Sequence, residues 1–197
     1  MKQLSLLLLL LLSTACTPPV QQVKPYTYYT LDLQRFTNKA GTTAYDYVKI
    51  DLPHISSKHL SENIIYTSKP FEQNSYLQSK WKEPLTIMLQ KWLVQSIDDM
   101  KLFKGVIRAA SRAKVALILE SDIVRFEHVL YRNEVDITIR VILIDYKLRN
   151  IIKQKRFNYK VKVAQASAKS AVESFNQALE QFNVELYKWL NEKNPIT

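Results

Sequence analysis

The stretch VALILESDIVRFEHVLYRNEVDITIRVILIDYKLRNIIKQKRFNYKVKV, Val115–Val163, decides the fold. Val115, Leu117 and Leu119 alternate with other residues, as do Val135, Ile137, Ile139, Val141 and Leu143, and then Phe157, Tyr159, Val161 and Val163. A period of two over such lengths predicts three long strands that each bury one face. The separators Arg132-Asn133 and Leu148-Arg149-Asn150 cannot hold a crossover helix. The three strands should therefore be antiparallel neighbours joined by hairpins.

Downstream, Ser167–Lys193 changes period. Ala168, Ala171, Val172, Phe175, Ala178, Leu179, Phe182, Leu186 and Trp189 recur at three- and four-residue spacing, with Glu173, Glu180 and Lys193 off the stripe. This predicts a long amphipathic helix. Upstream, Tyr76–Met100 carries a similar stripe through Leu77, Trp81, Leu85, Met88, Leu89, Trp92, Leu93 and Ile97. Pro84 interrupts it, so either the regular helix begins close to Pro84 or an earlier turn kinks there; the long periodic stretch beyond favours the first. Strands are expected over Tyr26–Leu33, with Tyr29, Leu31 and Leu33 on one side, and over Tyr47–Leu52, with Val48, Ile50 and Leu52 sharing a face before Pro53. Asn63–Thr67 reads as a short edge strand. The result is an α+β domain: a mixed or mainly antiparallel sheet with two long amphipathic helices packed on one face. Gly41 and Gly105 are the only glycines, which argues against phosphate-cradling loops and dinucleotide folds.

The beginning of the chain has another purpose. Lys2 precedes an apolar run, Leu6–Leu12, closed by the small residues Ser13, Thr14 and Ala15 immediately before Cys16. The run is too short to span a membrane and has the layout of a signal peptide, expected to cover residues 1–15 and to be removed. The junction LLSTAC resembles a bacterial lipobox, which implies that Cys16 carries diacylglyceryl and an N-acyl chain such as palmitate. An ordinary secretory signal beside an incidental cysteine is the alternative. Residues 16–25, with Pro18, Pro19 and Pro25, read as an extended tether, and residues 26–197 as one periplasmic domain. Cys16 is the sole cysteine, so no intramolecular disulfide and no cysteine-based metal site is expected.

Of 197 residues, 28 are Lys or Arg and 18 are Asp or Glu. This excess favours anionic surfaces such as lipid head groups or an acidic protein partner. Nucleic acid is not expected, since no nucleic-acid-binding motif accompanies the charge. His54, His59 and His128 have no metal-ligand spacing and read as surface or loop residues, and Asp98-Asp99 lie on different helix faces. No nucleophile-elbow signature is present. A non-enzymatic binding protein without cofactor or metal is therefore expected. Two surfaces are candidates: the basic hairpin with Lys147, Arg149, Lys153, Lys155, Arg156, Lys160 and Lys162, and the tyrosines Tyr26, Tyr28 and Tyr29. Lysines guarding a sheet edge and plain strand propensity are the bland readings of the two.

Several segments together resemble the ABC-type transport auxiliary lipoproteins, the PqiC- and YmbA-like family that accompanies mammalian-cell-entry (MCE) lipid transporters. They are Cys16, YYTLDL (Tyr28–Leu33), VKIDLP (Val48–Pro53) followed by Leu60, WKEPL (Trp81–Leu85), and the closing FNQAL and YKWL. The resemblance implies a lipoprotein anchored in the outer membrane and facing the periplasm, which docks on the MCE-domain protein of a lipid transporter. A homo-oligomer matching a multi-subunit partner fits that role. Thr17 after the lipid cysteine, rather than aspartate, resembles lipoproteins released to the outer membrane. The competing functions are a structural lipoprotein of another envelope assembly and a periplasmic lipid carrier, for which one sheet and two helices should leave little room.

Overall fold

The computed structural model describes residues 24–32, 45–55 and 61–192. Cys16, Leu33, Gly41 and His59 lie outside them. Among the described residues the elements are β1 (Thr27–Tyr29), β2 (Val48–Ile50), β3 (His54–Ile55), β4 (Asn63–Lys69), β5 (Glu72–Trp81), α1 (Leu85–Asp99), β6 (Val106–Arg108), β7 (Leu117–Val129), β8 (Glu134–Asp145), β9 (Asn150–Lys162) and α2 (Ala168–Asn191). The fold is α+β, with a mixed, curled nine-stranded sheet and two helices.

The three long strands form the expected antiparallel meander. β7 pairs with β8 from Leu117↔Asp145 to Val129↔Glu134, and β8 pairs with β9 from Glu134↔Lys162 to Asp145↔Asn150. Asn133 and Arg149, at the two connections, adopt positive φ of 49° and 53°. The other edge of β7 is shared by three short parallel partners in succession. β2 pairs at Leu117–Leu119, β3 at Asp122–Ile123 and β4 at His128–Val129. β7 is thus the spine of the sheet, and its two ends define two opposite poles. At about 3.3 Å per residue these are roughly 40 Å apart.

The core lies between the sheet and the helices. Val135, Ile137, Ile139, Val141 and Leu143 of β8 are buried, as is the whole α2 stripe from Ala168 to Trp189. Aromatic rings tie the layers together: Phe126 stacks on Phe175 at 4.4 Å, Trp92 of α1 on Phe182 of α2 at 5.7 Å, and Phe157 meets Phe182 edge-on at 5.0 Å. Ser167 caps α2 by accepting a hydrogen bond from the Ser170 N–H, which satisfies one of the helix's unpaired N–H groups.

Several expectations need correction. Tyr76–Trp81 is strand, and the helix starts at Leu85 with Pro84 as its N-cap, as the first of the two readings required. The helical spacing of Leu77, Trp81 and Leu85 is coincidental, for Leu77 is exposed while Trp81 and Leu85 are buried. Because β5 covers β4 on one side and β7 on the other, β4 is an interior strand and not an edge. β1 is three residues long, although Leu31 beyond it is buried as the pattern required. Leu52 does not share the buried face of Val48 and Ile50, because β2 ends at Ile50 and the alternation ends with it.

Candidate functional site

The basic residues of the last hairpin do not form one strip. Register runs unbroken from Glu134↔Lys162 to Leu143↔Lys153, with a bulge only beyond it before Ile144↔Ile151, so strand alternation alone puts Lys153 on the core face with Phe157, Tyr159 and Val161. Lys153 is only 9% exposed, and its ammonium donates to the carbonyl oxygens of Trp189 (2.6 Å), Leu190 (3.1 Å) and Glu192 (3.3 Å). It closes the C-terminus of α2, where a cation complements the helix dipole. Burial pushes its pKa down, and Glu192 partly restores it. Lys153 is therefore structural, which corrects its reading as an exposed contact.

The other hairpin lysines divide. Lys155 lies 3.8 Å from Glu185 of α2, with its ammonium 5.1 Å from the centre of the Phe157 ring. Lys162 reaches Glu134 at 3.3 Å and the Arg132 carbonyl at 3.1 Å. Lys160 and Arg156 are exposed. Lys162 belongs to an ionic layer on the sheet face away from the helices. There the buried carboxylates Glu127, Glu134 and Asp136 are matched by Arg125 (2.9 Å to Asp136) and Arg132 (2.9 Å to Glu134, 3.5 Å to Asp136). The hydrogen bond and charge of Asp136 hold the Arg125 pKa above its ordinary value. Gln73 and Thr67 donate to Glu127 in the same layer. Such compensated charges fix strand register and leave little field for a partner.

A different cluster remains uncompensated. At the pole where β7 begins, β2, residues 109–115 and the β8–β9 turn surround an open groove of about 1300 Å³. Lys49, Arg112, Lys114, Lys147 and Arg149 ring it, Asp51 is the one acid among its lining residues, and Val115, Ile118, Ile144 and Ile151 supply an apolar floor. The ion pairs among the described residues involve none of these five cations. The Asp145 carboxylate holds the turn by accepting from the N–H groups of Lys147 (2.9 Å) and Leu148 (3.0 Å). This space is an open groove and not an enclosed apolar cavity. Sequence reasoning found Lys147 and Arg149 but missed Lys49, Arg112 and Lys114. The available signal was the acid-free run from Lys101 to Leu119, which contains Lys101, Lys104, Arg108, Arg112 and Lys114.

The tyrosines occupy the opposite margin of the sheet. Tyr26 and Tyr28 are exposed, with ring centres 6.4 Å apart, and the Lys80 ammonium lies 4.4 Å from the Tyr26 ring centre. Tyr29 is half-buried against the core. Of the histidines, His54 is exposed, 4.0 Å from Asp122. His128 is fully buried within β7, not a surface or loop residue, and its Nδ1 shares a 2.7 Å hydrogen bond with the Tyr76 hydroxyl. Burial lowers the His128 pKa and raises that of Tyr76 to about 12, with Tyr66 adding to the rise. Among the described residues no group of three or more His, Cys, Asp or Glu could hold a metal ion. No helix among them is long and apolar enough to cross a membrane.

The domain thus combines a compensated sheet face with an uncompensated basic groove. The chain belongs to the family described as the ABC-type transport auxiliary lipoprotein component, whose model matches residues 29–186. A solved Xanthomonas campestris protein of the family model DUF330 superposes with a TM-score of 0.74 at 20% identity, covering 83% of this chain and 94% of that one. A second solved structure, of an uncharacterized protein, gives 0.67 at 15% identity over 85% and 100% of the two chains. A PelC dodecamer from Paraburkholderia phytofirmans is more distant, at 0.43 and 9% identity over 76% and 95%. No curated protein matches.

Proposed function

We propose that this chain is a non-enzymatic, periplasm-facing lipoprotein, anchored in the outer membrane through acylated Cys16, which docks on the MCE-domain protein of an ABC transporter. That transporter would move phospholipids or other hydrophobic molecules between the two membranes. The family match over residues 29–186 supports the transport role, and the resemblance of the sequence landmarks supports the MCE partnership. For the docking itself the supporting observation is the groove, whose five cations face one acid over an apolar floor. Such a surface suits a partner segment that presents carboxylates beside apolar side chains. Lys160 and the exposed pair Tyr26 and Tyr28 are secondary contacts, with half-buried Tyr29 fixing β1 beneath them. Lys155 and Lys162, already engaged within the fold, contribute less. A homo-oligomer would repeat these contacts around a multi-subunit partner, and confinement at the membrane would strengthen each weak one.

The test is site-specific photocrosslinking in cells from Leu148, which is exposed at the rim of the groove. The expected adduct is an MCE-domain protein encoded beside a permease and an ATPase. An adduct with a component of an unrelated envelope machine would replace the reading with a structural role there. The apolar floor also favours a second reading, in which the groove holds an anionic lipid itself. Phospholipid copurifying at one molecule per chain, with no MCE adduct, would select it.

A further inference from the structure

We propose that the β4–β5 hairpin tip, Lys69-Pro70-Phe71-Glu72, is a second membrane contact, in which Phe71 enters the interface of the phospholipid membrane that holds the lipid anchor. The inference rests on acylation of Cys16.

Two features single out Phe71. Its side chain is fully exposed, and its backbone has φ of 70°. A bulky aromatic residue is rarely found in that region, where glycine or asparagine would avoid the steric cost. Nothing within the fold accounts for the choice, because the ring adds nothing to the core. The neighbourhood has the composition of a membrane interface. Phe71 borders a surface depression that it shares with Val124 and Tyr131, both about half-exposed, and with Arg125, Arg132 and the buried Glu127 of the ionic layer; Lys69 lies beside it. Aromatic rings flanked by basic residues settle at the head-group level of a bilayer.

The chain's direction supplies the occupant. β1 runs parallel to β5, with Thr27 opposite Ser79. Following the chain backward from Thr27 therefore leads along β5 toward its start at Glu72, the hairpin tip. Ser79 to Glu72 is about 23 Å of strand. Cys16 to Thr27, roughly eleven residues, reaches at most about 36 Å. A straight path thus puts the acylated cysteine at or just past the tip. To reach the opposite pole the same residues would have to reverse direction. With the tip at the bilayer, β7 holds the basic groove roughly 40 Å away, projecting into the periplasm.

The test uses the full-length acylated protein in vesicles of phosphatidylethanolamine with a minority of phosphatidylglycerol. Because acylation blocks Cys16, a thiol introduced at Phe71, Tyr131 or Leu148 accepts an environment-sensitive fluorophore selectively. Aqueous iodide should quench the labels at 71 and 131 several-fold less than the label at 148. Phe71→Ser should return the label at 131 toward the quenching seen at 148. Equal quenching at all three positions, protection at 148 instead, or no effect of Phe71→Ser would overturn the contact while the protein still floats with the vesicles. Failure to float would overturn the anchor, and the proposal with it.

Discussion

The Lys153 ammonium sits 2.6 Å from the carbonyl oxygen of Trp189, closing the end of α2 from the strand beside it. A buried charge-assisted hydrogen bond to a helix terminus is worth about 1.5–3 kcal/mol. Lys153→Met should therefore lower stability by about 2–3 kcal/mol in a denaturant titration. Lys160→Ala, on an exposed side chain, should change it by less than about 0.5 kcal/mol. Equal midpoints for the two would show that the carbonyls find other partners.

Trp189 lies on the buried stripe, meeting Phe157 edge-on at 5.9 Å, whereas Lys188 is exposed. Trp189→Ala should cost roughly 3–5 kcal/mol, the range for emptying a large aromatic site. Lys188→Ala should cost almost nothing. Similar losses from both would mean that the phase of α2 is wrong.

These two positions show what the sequence made legible. The α2 stripe and the alternation in β8 repeat often enough that one periodicity fits and the other fails. In Tyr76–Trp81 the short pattern fitted a helix as well as a strand, and only pairing with β4, a tertiary choice, separates them. Lys153 is in phase with Phe157, Tyr159, Val161 and Val163, so the alternation did place it inward, but a charged side chain read as one more exposed lysine because its partners, the end carbonyls of α2, are distant in sequence. The groove was hidden for a different reason. Lys49, Arg112 and Lys147 come from three separated segments, and the pairing of the start of β7 with β2 on one side and with the end of β8 on the other brings them together.

Burial lowers the pKa of His128 from the usual 6.5, so the folded protein keeps the imidazole neutral where the unfolded chain protonates it. Below about pH 6.5 the unfolded state then binds more protons, and stability falls with decreasing pH until the folded-state pKa is passed. The slope from this one group is at most about 1.4 kcal/mol per pH unit. His128→Gln should lose stability overall but flatten the curve between pH 6.5 and 5, as read by thermal unfolding across that range. An unchanged slope would assign the acid sensitivity to other groups.

Cys16→Ser should abolish incorporation of a fatty-acid analogue and release the protein from the membrane fraction, since a hairpin tip alone holds far less firmly than several acyl chains. Equal labelling of wild type and variant would end the lipoprotein reading.

The central claim is that the basic groove docks the transporter's MCE-domain protein. The most direct measurement is the affinity of the purified lipoprotein for that protein across ionic strength, comparing wild type with a variant carrying Arg112→Glu, Lys114→Glu, Lys147→Glu and Arg149→Glu. The variant should fold normally, because exposed cations add little to stability. It should bind at least tenfold more weakly and with a shallower salt dependence, whereas Lys160→Glu, at a secondary contact, should weaken binding by clearly less. Unchanged affinity and an unchanged salt slope in the fourfold variant would contradict the account and place the contact elsewhere on the domain.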